Sequence, residues 1–180
     1  MRIFKRILSN IHRYVVCALL SVVFWAWIFS VVTDTVPLKK VTVLIDTPAV
    51  DELALAKKLK EDLPEGLRTV KVYPLSYMDF SFGMSDEGDI YILPESSMEK
   101  SVELLCPLEG GEGYVYDGRV YGLLIHEAGA ENGGASAYIT FGNDENYYLC
   151  FTKSSLHLGE LNGSKDGTAL EIAEKILALP

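Results

Sequence analysis

Ser154-Ser155-Leu156-His157 brings hydroxyls and an imidazole close together in the chain. Acyl transfer by such a set needs the imidazole hydrogen-bonded to the hydroxyl it activates, and proximity in sequence does not guarantee that geometry. No G-x-S-x-G elbow accompanies the pair. Loop hydrogen bonding is therefore the plainer expectation, with a serine-type hydrolase using Ser155 and His157 as the alternative. His126-Glu127 lacks the second histidine of an H-E-x-x-H helix and follows a β-rich run, so no metal site is expected. Gly110-Gly111-Glu112-Gly113 is glycine-rich, but it has neither phosphate-binding spacing, and its glutamate would repel a phosphate. No nucleotide or other cofactor is expected. An oxidising compartment would permit Cys106 and Cys150 to pair, yet Cys150 equally suits a buried free thiol in the apolar run NYYLCFT, and spacing does not decide between them.

Polar residues at the ends of strands form a second group, and they require a scaffold. Val41 to Ile45 reads as a strand leading into Asp46-Thr47-Pro48, where Thr47 is suited to cap a helix with Pro48 in its first turn. Leu53, Ala56, Leu59 and Leu63 mark one face of that helix, and Pro64-Glu65-Gly66 stops it. Thr69 to Tyr73 and Asp89 to Leu93 are two further strands, and the order β-α-β-loop-β predicts a mixed, largely parallel sheet with right-handed crossovers. Asp46-Thr47, Pro74 to Tyr77 and Pro94 to Ser97 then fall at the carboxyl ends of strands, the edge where open α/β sheets usually receive ligands. For any one of these residues, turn formation or capping is the plainer role. Ser96 suits the cap of a helix through Met98 to Leu105.

Asp117-Gly118 between two alternating runs specifies a tight hairpin. Its register predicts Tyr116 opposite Arg119, Val115 opposite Val120 and Tyr114 opposite Tyr121, with the tyrosines and arginine on one side and the valines turned inward. Such a surface suits stacking on a sugar or contact with a protein, while cross-strand aromatic pairing alone explains it as well. Ala135 to Phe141 and Tyr147 to Thr152 read as a second hairpin around Gly142 to Glu145. Thr168 and Glu171 have capping-box spacing ahead of a helix whose apolar stripe is Ala169, Ile172, Ala173, Ile176 and Leu177.

What places this scaffold in the cell is the run Tyr14 to Val32, nineteen positions without a charge. About 20 apolar residues cross a hydrocarbon core. The run exceeds the usual signal-peptide core and leaves through Ser30 to Thr35 without a small-x-small site, which favours a retained anchor over a cleaved signal. Arg2, Lys5, Arg6 and Arg13 precede it, and the next basic residues are Lys39 and Lys40, so the positive-inside rule sets the N-terminus in the cytoplasm. Residues 2 to 13 suit either a short amphipathic helix on the inner leaflet or a disordered basic leader. The expected organisation is a leader over 1–13, a transmembrane helix over 14–33, a linker over 34–40 and an extracytoplasmic domain over 41–180.

Of the 16 basic side chains those four lie in the first 33 residues with no acid, leaving 12 against 25 acidic ones, a formal charge of −13. A polyanion requires a basic footprint, so nucleic acid is not an expected partner. The length after the anchor suits one core rather than two ordinary domains.

VTVLID, a helix ending PEGL, TVKVYPLSY, GDIYILPES, CPL and YDGRVYGLL occur in an order that resembles the first lobe of bacterial extracytoplasmic solute-binding proteins of the two-lobed, type II periplasmic-binding kind. In that family a D-G-x-x-Y-G segment, here Asp117 to Gly122, commonly lies where the chain leaves the first lobe. Proteins of that family clamp a ligand between two lobes, and the stretch between Gly122 and Tyr147 is too short for a second one. The resemblance thus implies a single-lobe, non-catalytic relative with an open ligand-facing edge, drawn from Ser76, Tyr77, Ser96, Tyr116, Arg119 and Tyr121. Its partners would be a small solute, a transporter permease or a membrane sensor. A structural accessory subunit of a membrane complex is a further alternative. The fold expected is α/β: a transmembrane helix, then one three-layer-like domain with helices packed on the sheet and a β-hairpin extension.

Overall fold

The computed structural model describes residues 11–33, 36–75, 88–110, 112–130, 134–142, 144–159, 163 and 166–179. The chain divides after Val36 into two compact units. The first contains helix α1, Ile11–Thr33, whose 23 residues span roughly 34 Å at the α-helical rise. Its window His12–Phe29 is long and apolar enough to cross a membrane, and none of that window is buried. Ser21 Oγ donates to the carbonyl of Cys17 at 2.8 Å, which satisfies the one hydroxyl in mid-helix.

The second unit is a mixed α/β domain. After a 3₁₀ turn at Pro37–Lys39 come β1 (Lys40–Ile45), β2 (Ala49–Val50), α2 (Glu52–Leu59), β3 (Thr69–Pro74) and β4 (Ile90–Pro94). Then follow α3 (Glu95–Ser101), β5 (Gly113–Tyr116), β6 (Arg119–His126), β7 (Ile139–Thr140), β8 (Tyr147–Phe151) and α4 (Thr168–Leu177). Six strands form one sheet in the order β3-β1-β4-β8-β6-β5, and β2 pairs with β7 in a small separate ribbon. β1 runs parallel to β3 and β4, whereas β8 is antiparallel to β4 and β6, and β5 is antiparallel to β6. The sheet is mixed rather than largely parallel.

Alternation along the central strands divides the core. Val41, Val43, Ile45, Ile90, Ile92, Leu149 and Phe151 pack with Leu55 and Leu59 of α2 and with Ala169, Ile172, Ala173 and Ile176 of α4. Leu44, Tyr91, Leu93, Tyr148 and Cys150 pack on the other face with Met98 of α3. A strand buried on both faces reads as a continuous apolar run, which is what β1, β4 and β8 show.

Several local expectations are corrected. The first helix is capped by Asp51, whose Oδ1 accepts the Ala54 N–H at 2.9 Å, because Ala49–Val50 is drawn into the β2–β7 ribbon before the helix can begin. Its buried stripe is Leu55 and Leu59, and Leu53 is 85% exposed. The second hairpin does not form. β7 joins β2, and β8 lies between β4 and β6, where all five of its residues are buried. Ser96 lies within α3 rather than at its cap, and Thr168 opens α4 after a Gly167 cap, with Asp166 Oδ1 accepting the Thr168 N–H at 2.8 Å.

The β5–β6 hairpin forms with Asp117 and Gly118 at φ 48° and 74°, the left-handed pair a two-residue loop needs. Tyr116 faces Arg119 and Val115 faces Val120, but a bulge sets Tyr114 opposite Gly122, so Tyr114 and Tyr121 are not partners. The bulge keeps Tyr121 beside the α3-face cluster together with Tyr114. Val115 is 61% exposed rather than turned inward.

Candidate functional site

The chain leaves β1 through α2 to reach β3 on one side, then crosses to β4 on the other side of β1. α2 and α3 therefore follow adjacent parallel strands onto opposite faces of the sheet. That divergence is a topological switch point, and the carboxyl ends of β1 and β4 beside it are the kind of edge where open α/β sheets take ligands.

The side chains of Asp46, Ser97 and Glu145 and the main-chain N–H of Ser96 come together at that edge. Asp46, just past β1, is half-buried, and its main-chain N–H donates to the carbonyl of Ile92 at 2.8 Å. Its Oδ2 accepts the Ser97 hydroxyl at 3.1 Å. Burial pushes the Asp46 carboxyl above its ordinary value, the Ser97 hydrogen bond draws it back, and the charge of Glu145 pushes it up again. Because β8 is antiparallel to β4, its first residue Tyr147 faces Pro94, so the segment preceding β8 arrives at the same edge. There Glu145 Oε2 accepts the Ser96 N–H at 3.3 Å. Asn146 holds the segment in place, its Nδ2 donating to Glu95 Oε2 at 2.7 Å and its Oδ1 accepting the Ala128 N–H at 2.8 Å. His126 stacks on Phe141 with centroids 4.5 Å apart and planes 7° from parallel, and the Tyr147 hydroxyl accepts the Gly142 N–H at 3.0 Å, forming an aromatic wall behind the edge.

The Asp46 and Glu145 carboxylates at this edge are of a kind that accepts hydrogen bonds from hydroxyl and ammonium groups. Among the described residues no group of three or more His, Cys, Asp or Glu side chains stands close enough to hold a metal ion.

Of the residues singled out from sequence, Ser96 lies at this edge. Tyr116, Arg119 and Tyr121 do not: they lie on the β5–β6 hairpin, which β8 separates from β4. Tyr116 packs edge-on against Tyr121 at 6.5 Å, the cross-strand pairing that stabilises a hairpin by itself. Ser76 and Tyr77 lie outside the described residues; Leu75 before them donates its N–H to the carbonyl of Ile45 at 2.7 Å, at the carboxyl edge. Asp46 and Ser97 belong to the strand-end segments marked in the sequence but not to the six ligand candidates, and Glu145 and Asn146 are among neither. The signal for Ser97 was its place after the β4 run, whereas Glu145 and Asn146 had none, since their turn gives no sign of which strand lies beside β8.

Ser155 and His157 take part in buried hydrogen bonds that join segments of the domain. Ser155 and His157 are 3% and 1% exposed. Ser155 Oγ donates to Asp89 Oδ1 at 2.6 Å, and it is the main-chain N–H of His157, not its ring, that meets Ser155 Oγ, at 3.1 Å. The ring bridges Asp166 Oδ2 at 2.9 Å and the carbonyls of Pro37 and Lys40, each at 3.1 Å, so it ties the start of β1 to the approach of α4. Asp89 also accepts the Thr42 N–H at 2.8 Å, and burial pushes its carboxyl up against those hydrogen bonds. Cys106 and Cys150 are both free and belong to clusters on opposite sheet faces. Burial pushes the Cys150 thiol far above its ordinary value, as expected of a small hydrophobe.

No protein-family model, curated protein or solved structure matches the chain.

Proposed function

We propose that the chain is a single-pass membrane protein that holds a non-catalytic, extracytoplasmic binding domain, built like one lobe of an ABC-transporter solute-binding protein. The observation that carries the reading is the meeting of Asp46, Ser96, Ser97 and Glu145 at the switch point between β1 and β4. The asymmetry of basic residues around α1 supports the orientation. Engagement of Ser155 and His157 in buried packing hydrogen bonds supports binding over hydrolysis. One open edge buries less of a ligand than a closed cleft, so affinity is modest and a membrane permease or sensor completes the site.

Thermal unfolding of the full chain in lipid nanodiscs, screened against sugars, amino acids and short peptides, tests the reading. A polyol or amine should raise the midpoint in the wild type and not in Asp46→Asn. Stabilisation by no solute, or stabilisation untouched by that substitution, would remove this edge from the account.

A further inference from the structure

On the sheet face opposite α3, the end of α4 and the segment after α3 leave an open trough of about 360 Å³. Leu108, Leu123, Phe151, Leu170, Ala173 and Leu177 line it, and Leu177 is 42% exposed although it belongs to the apolar stripe of α4. Glu109 and Glu174 stand on its rim, both exposed. Neither has an ion-pair partner among the described residues. Lys175, the basic residue beside Glu174, is directed elsewhere, its Nζ donating to the carbonyls of Glu61 and Asp62 beyond α2.

We propose that this trough docks an amphipathic segment of a partner protein, one that inserts a leucine- or phenylalanine-sized side chain flanked by lysine or arginine. The floor side chains are apolar and the charged groups at the rim are both carboxylates, a combination that suits an apolar side chain with a cation beside it. A second copy would bring its own acidic rim, and an anionic lipid surface its own negative charge, against a region that carries −13 overall. The acids on the rim instead complement a basic partner and set its register, while the apolar anchor supplies the desolvated centre. The trough does not share a residue with the edge at Asp46, so this assignment stands or falls apart from the solute-binding reading.

The test uses the full chain in phosphatidylcholine nanodiscs, with protein-free discs as the blank. The probe is a labelled helical peptide with leucines on one face and lysines beside them, followed by fluorescence anisotropy. Its charge-swapped counterpart, leucine with glutamate, is the control. The wild type should bind the leucine–lysine peptide, and Leu177→Ser should weaken it. Glu109→Lys with Glu174→Lys, both at exposed positions, should weaken it about tenfold and shift preference to the charge-swapped peptide. Equal binding of both peptides by the wild type, or no effect of the double reversal, would overturn the proposal. Self-association of the chain in sedimentation that the double reversal abolishes would also overturn it, by giving the trough to a second copy.

Discussion

Asp166 ties the His157 ring to the start of α4. Its carboxylate accepts from His157 Nδ1, from the Thr168 N–H and from the Thr168 hydroxyl. Burial alone would raise its pKa, but the hydrogen bonds from Thr168 and His157 outweigh that and hold the carboxyl below its ordinary value. A carboxyl depressed on folding stabilises fully above its unfolded pKa, and that stability is lost as pH falls through the lower, folded value. Asp166→Ala should therefore cost about 1 kcal/mol at neutral pH, the usual loss of a helix-terminal acceptor. The difference from wild type should shrink below the carboxylate range, as equilibrium denaturation at stepped pH would show. Asp46 has the opposite sign. Its carboxyl is raised, so its penalty is absent below the unfolded pKa and complete once pH exceeds the folded one. Asp46→Asn should leave the neutral-pH domain as stable or up to about 1 kcal/mol more so, while removing the solute response. A destabilised variant in the same denaturation series would mean that Asp46 serves the fold rather than a site.

At the scale of elements, periodicity carried most of the information and strand partnership the least. β1 and β4 were legible as apolar runs bounded by turn residues, β3 from the alternation of Val70 and Val72 with Thr69 and Lys71, and α4 because Ala169, Ile172, Ala173 and Ile176 recur at helical spacing. β8 was legible as a strand but not as the partner of β4, since nothing in Tyr147 to Phe151 distinguishes β7, close before it in the chain, from a strand as remote as Ile90–Pro94. That same gap hid Glu145 and Asn146 from the candidate site. The β5–β6 loop was legible from Asp117-Gly118, and the bulge was not, because it answers to packing beyond the hairpin. A Cβ on Gly122 would stand 2.7 Å from Cys150 Sγ and 2.9 Å from Tyr148 Cβ, so it is the missing side chain at Gly122 that lets β6 lie against β8. Gly122→Ala should cost about 1–3 kcal/mol by overpacking and loosen the hairpin, read as a lower unfolding midpoint. At the centre of the sheet, Ile92→Ala should cost about 2–5 kcal/mol. Its side chain is wholly buried between β1 and β8 against the α2–α4 face. An unchanged midpoint in either variant would contradict the packing described for it.

At the scale of the molecule, an apolar helix and an acidic α/β domain form separate units. Composition made this division plain: an uncharged run flanked by basic residues on one side is a strong signal, and so is a remaining charge of −13. Negative charge keeps the domain clear of anionic headgroups and available to basic partners. The account rests on which side of the bilayer the domain occupies, and the cysteines make that measurable. Cys106 and Cys150 are buried, Cys17 lies within the apolar window of α1, and Glu65 is an exposed position in a turn. Glu65→Cys should therefore supply the one readily modified thiol outside the bilayer. With a membrane-impermeant maleimide, the account predicts labelling in intact spheroplasts without permeabilisation. Labelling that appears only after the membrane is opened would contradict it.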